Sequence, residues 1–401
     1  MDIVHFADLH IGVKTHGRFD KETGLNSRVV DYLKLLDYIV DYSIENADLV
    51  VCAGDVFHTK QPHPMHLQEF VALIMRLSEA GIPTVILPGN HDVPVTAGQF
   101  PALNIFNVTR VPNVYVPLEP AVLEISTNVG VCQVGVSPFP IWQQLMVHDR
   151  LRKLPRKQLD EAVSLLYLDQ LQELSDSLDE RYPSILVAHS TIKSAVSGSE
   201  AGMLHGHNVH ARAADFDNMY WDYVALGHIH KHQDVNPAGN VPVVYSGSVG
   251  RVNFGEQLEP KGFCHVHITD DSVRYEFIPL NARVFSSFYV DARYDDPIAL
   301  LSTMLDDIET EGHISRMSVQ VDGQGNTPRS AIESHAIDNT KSDALELSIE
   351  APHAPRSRDV TEDMSTMNTE QALNFWFDKR GIVDDRAEYM DLAREIIEDS
   401  S

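Results

Sequence analysis

The chain has 401 residues, 43% of them hydrophobic, which fits one sizeable core plus one or two smaller modules. No stretch approaches the ~18 consecutive apolar residues that a membrane span needs, and the opening MDIVHFADLH lacks the basic head and apolar run of a signal peptide. Acidic residues outnumber basic ones 58 to 31, for a formal net charge of -27, which argues against a protein that grips nucleic acid through a broad basic surface.

Residues 2–7, 49–53 and 84–88 are short runs rich in Val and Ile, so they predict buried strands. Between them, 26–45 and 65–80 carry apolar residues at three- and four-residue spacing (Val29, Tyr32, Leu33, Leu36, Ile39, Val40), which predicts helices. This alternation implies a layered α/β core. Further strands are expected at 130–136, 184–189, 222–226, 241–246, 262–268 and 273–279, the last two as a hairpin, and a helix is expected over 156–180. The main domain is thus read as 1–282.

Beyond it the pattern becomes strand (284–291), helix (297–310), strand (316–321), helix (328–337) and strand (344–350), a small α+β module over 283–350. Residues 351–368 have no periodicity and many Pro, Ser and Asp, so they read as a flexible linker. Residues 369–401 read as two amphipathic helices split at Gly381. Cys52, Cys132 and Cys264 sit far apart inside apolar runs and fit neither a disulfide framework nor a zinc spacing. They are expected to be buried thiols of a cytoplasmic protein.

Five polar clusters close five of these strands: Asp8-Leu9-His10, Gly54-Asp55, Gly89-Asn90-His91-Asp92, His189 and Gly227-His228-Ile229-His230. Carboxyl ends of strands in open α/β sheets gather in one crevice, so residues distant in sequence can converge there. The donors are oxygen and imidazole nitrogen with no thiolate, a mix that suits Mn²⁺, Fe or Zn²⁺ with open positions rather than a structural zinc site. Asp8, His10, Asp55, Asn90, His189, His228 and His230 are too many ligands for one ion that must also keep a substrate position. Two ions sharing a carboxylate are the simplest arrangement.

In order and spacing these motifs resemble the calcineurin-like metallophosphoesterases. The resemblance implies a layered β-sandwich flanked by helices, with Asp8, His10 and His230 on one metal, Asn90, His189 and His228 on the other, and Asp55 between them. It implies that His91 lies beside the scissile phosphate and steadies or protonates the departing oxygen. Gly54-Asp55-Val56-Phe57-His58, with the later stretches Val244–Ser248, Arg251, Phe254-Gly255-Glu256 and Pro260–Phe263, resembles the SbcD family of DNA-repair nucleases. Gly250 and Asn253 depart from that family's usual acids around the arginine. The likeness is close over 1–280 and looser afterwards.

What the SbcD resemblance implies is a DNA exonuclease and endonuclease using two divalent ions, Mn²⁺ foremost. Its expected partners are DNA, an SbcC-type coiled-coil ATPase and a second copy of the chain, with no membrane. The module at 283–350 would cap the active site, and His58 would orient substrate or position His91. A phosphodiesterase for nucleotides or other small phosphoesters is the alternative within enzymes, and an idle repair scaffold would need a damaged ligand set.

Two basic groups are candidates for backbone phosphates. One is Lys14, Arg18, Lys21 and Arg28, after the first motif; the other is Arg150, Arg152, Lys153, Arg156 and Lys157. The final helices present Leu373, Trp376 and Phe377, then Leu392 and Ile396, an apolar face suited to docking in a partner's groove. The His-rich loop HGHNVH (His205, His207, His210) looks like a metal site but no predicted strand frames it, so it is not read as one, and His232 is expected to be a solvated neighbour rather than a ligand. His5 and His265 alternate with apolar neighbours and are read as satisfied strand histidines.

Overall fold

Strands that lack polar alternation must be covered on both faces, and this requirement organises the molecule. A computed structural model describes residues 1–94, 99–140, 156–196, 210–322, 327–351 and Met390. β1 (Asp2–Phe6), β2 (Leu49–Cys52), β3 (Thr84–Ile86) and β4 (Val114–Tyr115) run parallel. β5 (Ala121–Thr127), β6 (Gly130–Ser137), β7 (Ser184–His189), β10 (Tyr223–Gly227), β11 (Gln233–Asp234) and β12 (Val243–Tyr245) form a second sheet, ordered β11-β12-β10-β7-β6-β5. Between them in the chain, β8 (Thr191–Ile192) and β9 (His210–Ala211) make a short separate pair. The hairpin β13 (Gly262–Ile268) and β14 (Val273–Pro279) completes the first sheet by pairing antiparallel with β1, giving the order β14-β13-β1-β2-β3-β4.

The two sheets pack face to face. Ile3, Val51 and Val85 of the first meet Val134, Val187 and Ala225 of the second in one apolar layer. On the outer side of the first sheet lie α1 (Ser27–Asn46) and α2 (Pro64–Glu79), through Val29, Leu36, Phe70 and Ile74. Helix Arg156–Asp176 covers the second sheet with Val163, Tyr167 and Leu171. At about 1.5–3 kcal/mol per fully buried aliphatic or aromatic side chain, these three layers hold the strand ends in register. Asn26 caps α1 by accepting from the Arg28 amide, and Pro64 opens α2, so both helices begin where the sequence stops supplying strand residues. The result is the layered α/β sandwich expected.

The module after Ala282 consists of β15 (Phe285–Ala292), β16 (Ile314–Val321) and β17 (Ala344–Glu350), separated by helices Pro297–Asp307 and Arg329–Asn339. Its strands are parallel and ordered as in the chain, so the unit is α/β in its pairing rather than α+β. The reason is connectivity: each helix returns the chain to the same edge, and the crossover leaves the next strand pointing the same way. Phe254, Phe285 and Ile314 join the module to the body, and Arg283 binds Asp31 on one side and Asp343 on the other.

The sequence pattern does not predict β4 and β5. β5 is an edge strand with only Ile125 fully buried, so its apolar signal is diluted by Glu and Ser. All three cysteines are buried thiols. Among the described residues, no helix is long and apolar enough to cross a membrane. The linker expected over 351–368 beyond Ala351, the helices expected over 369–401 apart from Met390, and the basic residues Arg150, Arg152 and Lys153 lie outside the described residues, as do His205 and His207.

Candidate metal centre

The turns that follow β1, β2, β3 and β10, with His189 at the end of β7, deliver the polar residues, and three of these turns are strained where they do so. Asp8, His10, Asp55 and His228 have φ of 54°, 45°, 54° and 96°, a region L-residues other than Gly rarely occupy. Such conformations persist where the surroundings over-determine them, and they cluster at functional sites. The room is equally constrained: a Cβ on Gly89 would stand 2.2 Å from Asp55 Oδ1, and one on Gly227 2.1 Å from the Ala53 carbonyl oxygen. Glycine therefore lets the turns after β3 and β10 close onto the turn after β2.

All seven residues predicted as ligands meet in this crevice. Asp8, His10 and His230 form one group of donor atoms within 4.8 Å of one another, and Asp55, His189 and His228 form a second. Asp55 spans them, with Oδ1 3.4 Å from His189 Nε2 and Oδ2 3.8 Å from His10 Nε2. Asn90 Oδ1 lies 3.0 Å from His189 Nε2 and 2.9 Å from His228 Nδ1. Asp8 also accepts the His228 amide through both oxygens, at 3.0 and 3.1 Å, which ties the ends of β1 and β10 together.

The donor set calls for cations. His189 Nδ1 donates to the Ala53 carbonyl at 2.7 Å, which leaves the lone pair of neutral Nε2 facing the oxygens of Asn90 and Asp55. Nε2 of His10 lies 2.9 Å from Nε2 of His230, and His10 Nδ1 and His228 Nε2 are buried without a hydrogen-bond partner. Acceptors that converge in a dry pocket need a proton or a metal between them.

The metal-free charges reflect that need. Burial lowers the His189 imidazole, but the Asp55 carboxylate overrides it and holds the group at about 9. Burial resists ionisation of Asp55, yet His189 and His10 keep its carboxyl well below the ordinary range. Burial raises Asp8 to about 6 and drives His228 down to about 3. His10 is pushed well down by burial and by His230.

His91 sits at the open side of the pocket. Its amide donates to Asp55 Oδ1 at 2.8 Å and its Nδ1 donates to the His58 carbonyl at 2.9 Å, so Nε2 is the nitrogen free to exchange a proton. Its ring meets that of His10 edge-on at 4.8 Å. His58 stacks on His91 at 5.8 Å, while its backbone supplies the hydrogen bond that orients the ring. Asp92, the last residue of the same motif, is buried; it accepts the amides of Val56, Phe57 and Gly89 and ties the two turns together.

One pair of residues near the pocket escapes the sequence motifs. Glu256 Oε1 lies 2.9 Å from His230 Nδ1, and Glu256 Oε2 lies 2.9 Å from the Lys261 ammonium. Lys261 also donates to Ser248 Oγ and to the His230 carbonyl. A carboxylate behind a histidine fixes its tautomer and leaves Nε2 as the outward donor. Both residues fall in stretches that resemble the SbcD family, but nothing in the sequence signals that the carboxylate and ammonium are buried.

The basic residues divide. Lys14, Arg18 and Lys21 are exposed. Lys14 lines an open cleft of about 480 Å³ with Gly12, His58, Gln61, His63 and His66, next to the metal pocket. Arg28 corrects the expectation of a phosphate contact: it is 2% exposed, binds Asp31 and the Arg251 carbonyl, and lies over Tyr32 and Phe285. The first turn of α1 directs it inward, where it ties the body to the module. His232 also departs from expectation, since it stacks on Phe277 at 4.2 Å and bonds the Tyr245 carbonyl instead of facing solvent. His5 is a satisfied buried histidine, held by Tyr223 and the Leu226 carbonyl.

Comparison with known proteins agrees with this geometry. The calcineurin-like phosphoesterase family model matches residues 1–232. The SbcD component of the SbcCD nuclease of Staphylococcus saprophyticus is 24% identical over 74% of this chain and 73% of its own length. The SbcD component of Staphylococcus epidermidis is 26% identical over 70% of each. The DNA double-strand break repair protein Mre11 of Haloferax volcanii is 24% identical over 84% of this chain and 65% of its own. Given the match over more than half its length and the matching site, the chain belongs to the calcineurin-like phosphoesterase family.

Proposed function

We propose that the protein is a DNA nuclease, with exonuclease and endonuclease action on phosphodiesters, that works on DNA ends with two divalent ions, preferably Mn²⁺. One observation carries the reading: Asp55 turns one oxygen toward each of two buried donor clusters. Asp8, His10 and His230 would hold one ion; Asn90, His189 and His228 the other; Asp55 both. Such a pair supplies Lewis acidity to a phosphoryl group and makes an attacking water acidic enough to react near neutral pH.

The remaining steps belong to the chain's own side chains. His91, oriented by the His58 carbonyl, would place Nε2 at the departing oxygen and give it a proton. Lys14, beside the cleft, would neutralise a phosphate next to the one cut, with Arg18 and Lys21 further along the backbone. The names of the relatives favour DNA over small phosphoesters as the substrate.

The same relatives are named as the D subunit of an SbcCD nuclease, which favours an SbcC-type partner; we assign its docking to the apolar residues Leu373, Trp376, Phe377, Leu392 and Ile396 of the sequence, and the cytoplasm to the chain from its three buried free thiols. The helices after β2 and β3 carry exposed Met65, Ile105 and Val108, a surface on which a second copy would pack.

The deciding experiment supplies the purified chain, with and without an SbcC-type partner, with Mn²⁺ and a labelled DNA hairpin. Bis-p-nitrophenyl phosphate and cyclic nucleotides serve as competitors. Mn²⁺-dependent DNA cleavage lost in Asp55→Asn is the expected result. Cleavage of the small esters with DNA left intact in every combination would replace the reading by that of a small-molecule phosphodiesterase.

A further inference from the structure

A third cluster of donors lies at the opposite end of β1 from the phosphoesterase pocket. Asp2 and Asp8 are six residues apart, roughly 20 Å at about 3.3 Å per strand residue. In the β1–β13 ladder Asp2 stands directly opposite His267, and Val4 opposite His265. Side chains two apart on a strand share a face, so the carboxylate and both imidazoles emerge on one side of the sheet.

There the Asp2 Oδ1 atom lies 3.1 Å from His265 Nε2 and 2.5 Å from His267 Nδ1. All three donor atoms fall within 4.8 Å of one another. Two ligands held about 2.0–2.1 Å from one tetrahedral ion stand roughly 3.3 Å apart, so small side-chain adjustments would seat a metal.

The group behind the cluster orients it. The Tyr42 hydroxyl of α1 lies 2.8 Å from His265 Nδ1 and its ring meets the imidazole edge-on at 5.6 Å. With Nδ1 occupied, His265 offers Nε2 toward Asp2, the arrangement of metal-bound histidines braced by an outer hydrogen bond. The His265 and His267 rings lie only 4.2 Å apart. Burial, with His267 next, lowers the His265 imidazole, which favours its neutral, ligating form. Glu276, opposite His265 on β14, adds negative charge, and Arg274, opposite His267, adds positive charge on the outer strand. His267 and Asp2 keep about two-fifths of their side-chain surface, so solvent or an ion has access.

We propose that Asp2, His265 and His267 form a separate binding site for a divalent transition-metal ion of the zinc class, which ties the start of β1 to the β13–β14 hairpin. Imidazole nitrogen with a single carboxylate selects such ions over Mg²⁺ or Ca²⁺, which take oxygen shells. Three protein donors leave a fourth position for water. The site does not depend on the phosphoesterase reading, since none of its residues touches that pocket.

Equilibrium dialysis of the full chain against buffered Zn²⁺, followed by metal analysis, tests it. Wild-type protein should hold one more zinc per chain than Asp2→Asn or His267→Gln. The main pocket contributes the same number to each, so the difference isolates this site. Tyr42→Phe should keep the extra ion but bind it about tenfold more weakly. Phosphodiester turnover and circular dichroism should be unchanged in Asp2→Asn and His267→Gln, which excludes misfolding as the cause. Equal zinc content in wild type and both variants would overturn the proposal and leave the cluster as a hydrogen-bonded histidine–carboxylate pair.

Discussion

The two halves of the phosphoesterase pocket are built by different means. On the His189 side the imidazole is held by a main-chain carbonyl, that of Ala53, so no side chain can be changed to release it. On the His230 side the imidazole is held by a side-chain carboxylate, Glu256, itself held by a buried lysine. One half is fixed by the fold and the other by a small ionic network. The comparison teaches that the same coordination chemistry can be made robust or adjustable according to what stands behind the ligand. Asp55, which faces both halves, is the place where their fates join.

The largest effect should therefore come from Asp55→Asn. An amide there gives one half an N–H where it needs a lone pair, and removes the shared charge. Turnover of any phosphodiester substrate should fall by about a thousandfold or more, the scale of losing several kcal/mol of transition-state stabilisation. Steady-state assays with saturating Mn²⁺ check it; a fall under tenfold would mean the halves work independently.

Glu256→Gln breaks only one half. The amide cannot hold the His230 tautomer as the carboxylate does, and affinity for the ion on that side should drop roughly 10–100-fold, leaving the His189 side unchanged. Metal titration should separate into two phases where the wild type shows closely spaced ones. Residual activity should recover at high Mn²⁺, which a merely misfolded protein would not do. A variant whose two phases weaken together would erase the distinction between the halves.

How much of the molecule is legible in its sequence follows the same division. The seven pocket residues can be read because each ends an apolar strand, and strand ends in an α/β layer must converge. What stands behind them cannot. Ala53 contributes a carbonyl that every residue has, and Glu256, though it lies in a stretch that resembles the SbcD family, carries no sign in the sequence that it is buried behind His230. Arg28 misleads for a related reason: adjacency to the Asp8 motif suggests a role at the site, whereas the helical turn decides its direction. The module over 285–350 is legible as alternating elements, but parallel pairing is a property of the crossovers, not of the strand residues.

The smallest expected effect is a difference in how the two halves respond to pH. In the metal-free chain the His189 group titrates near 9, so at pH 7 it carries a proton that an incoming ion must displace. Asp8 titrates near 6 and His10 well below its usual value, so at pH 7 these two groups of the other half hold no proton that an ion must displace. The sign follows: metal affinity on the His189 side rises with pH by up to about tenfold per unit between pH 7 and 9, one proton leaving per ion, and then levels. The part of the rise that Asp8 contributes on its side ends near pH 6. Calorimetric titration of the chain with Mn²⁺ in buffers of different ionisation enthalpy counts the protons released. Release of about one proton at pH 7, carried by one binding phase and gone above pH 9, matches the metal-free ion pair of His189 with Asp55. Release from both phases alike would mean that the proton is shared across the pocket and that the two halves are one electrostatic unit.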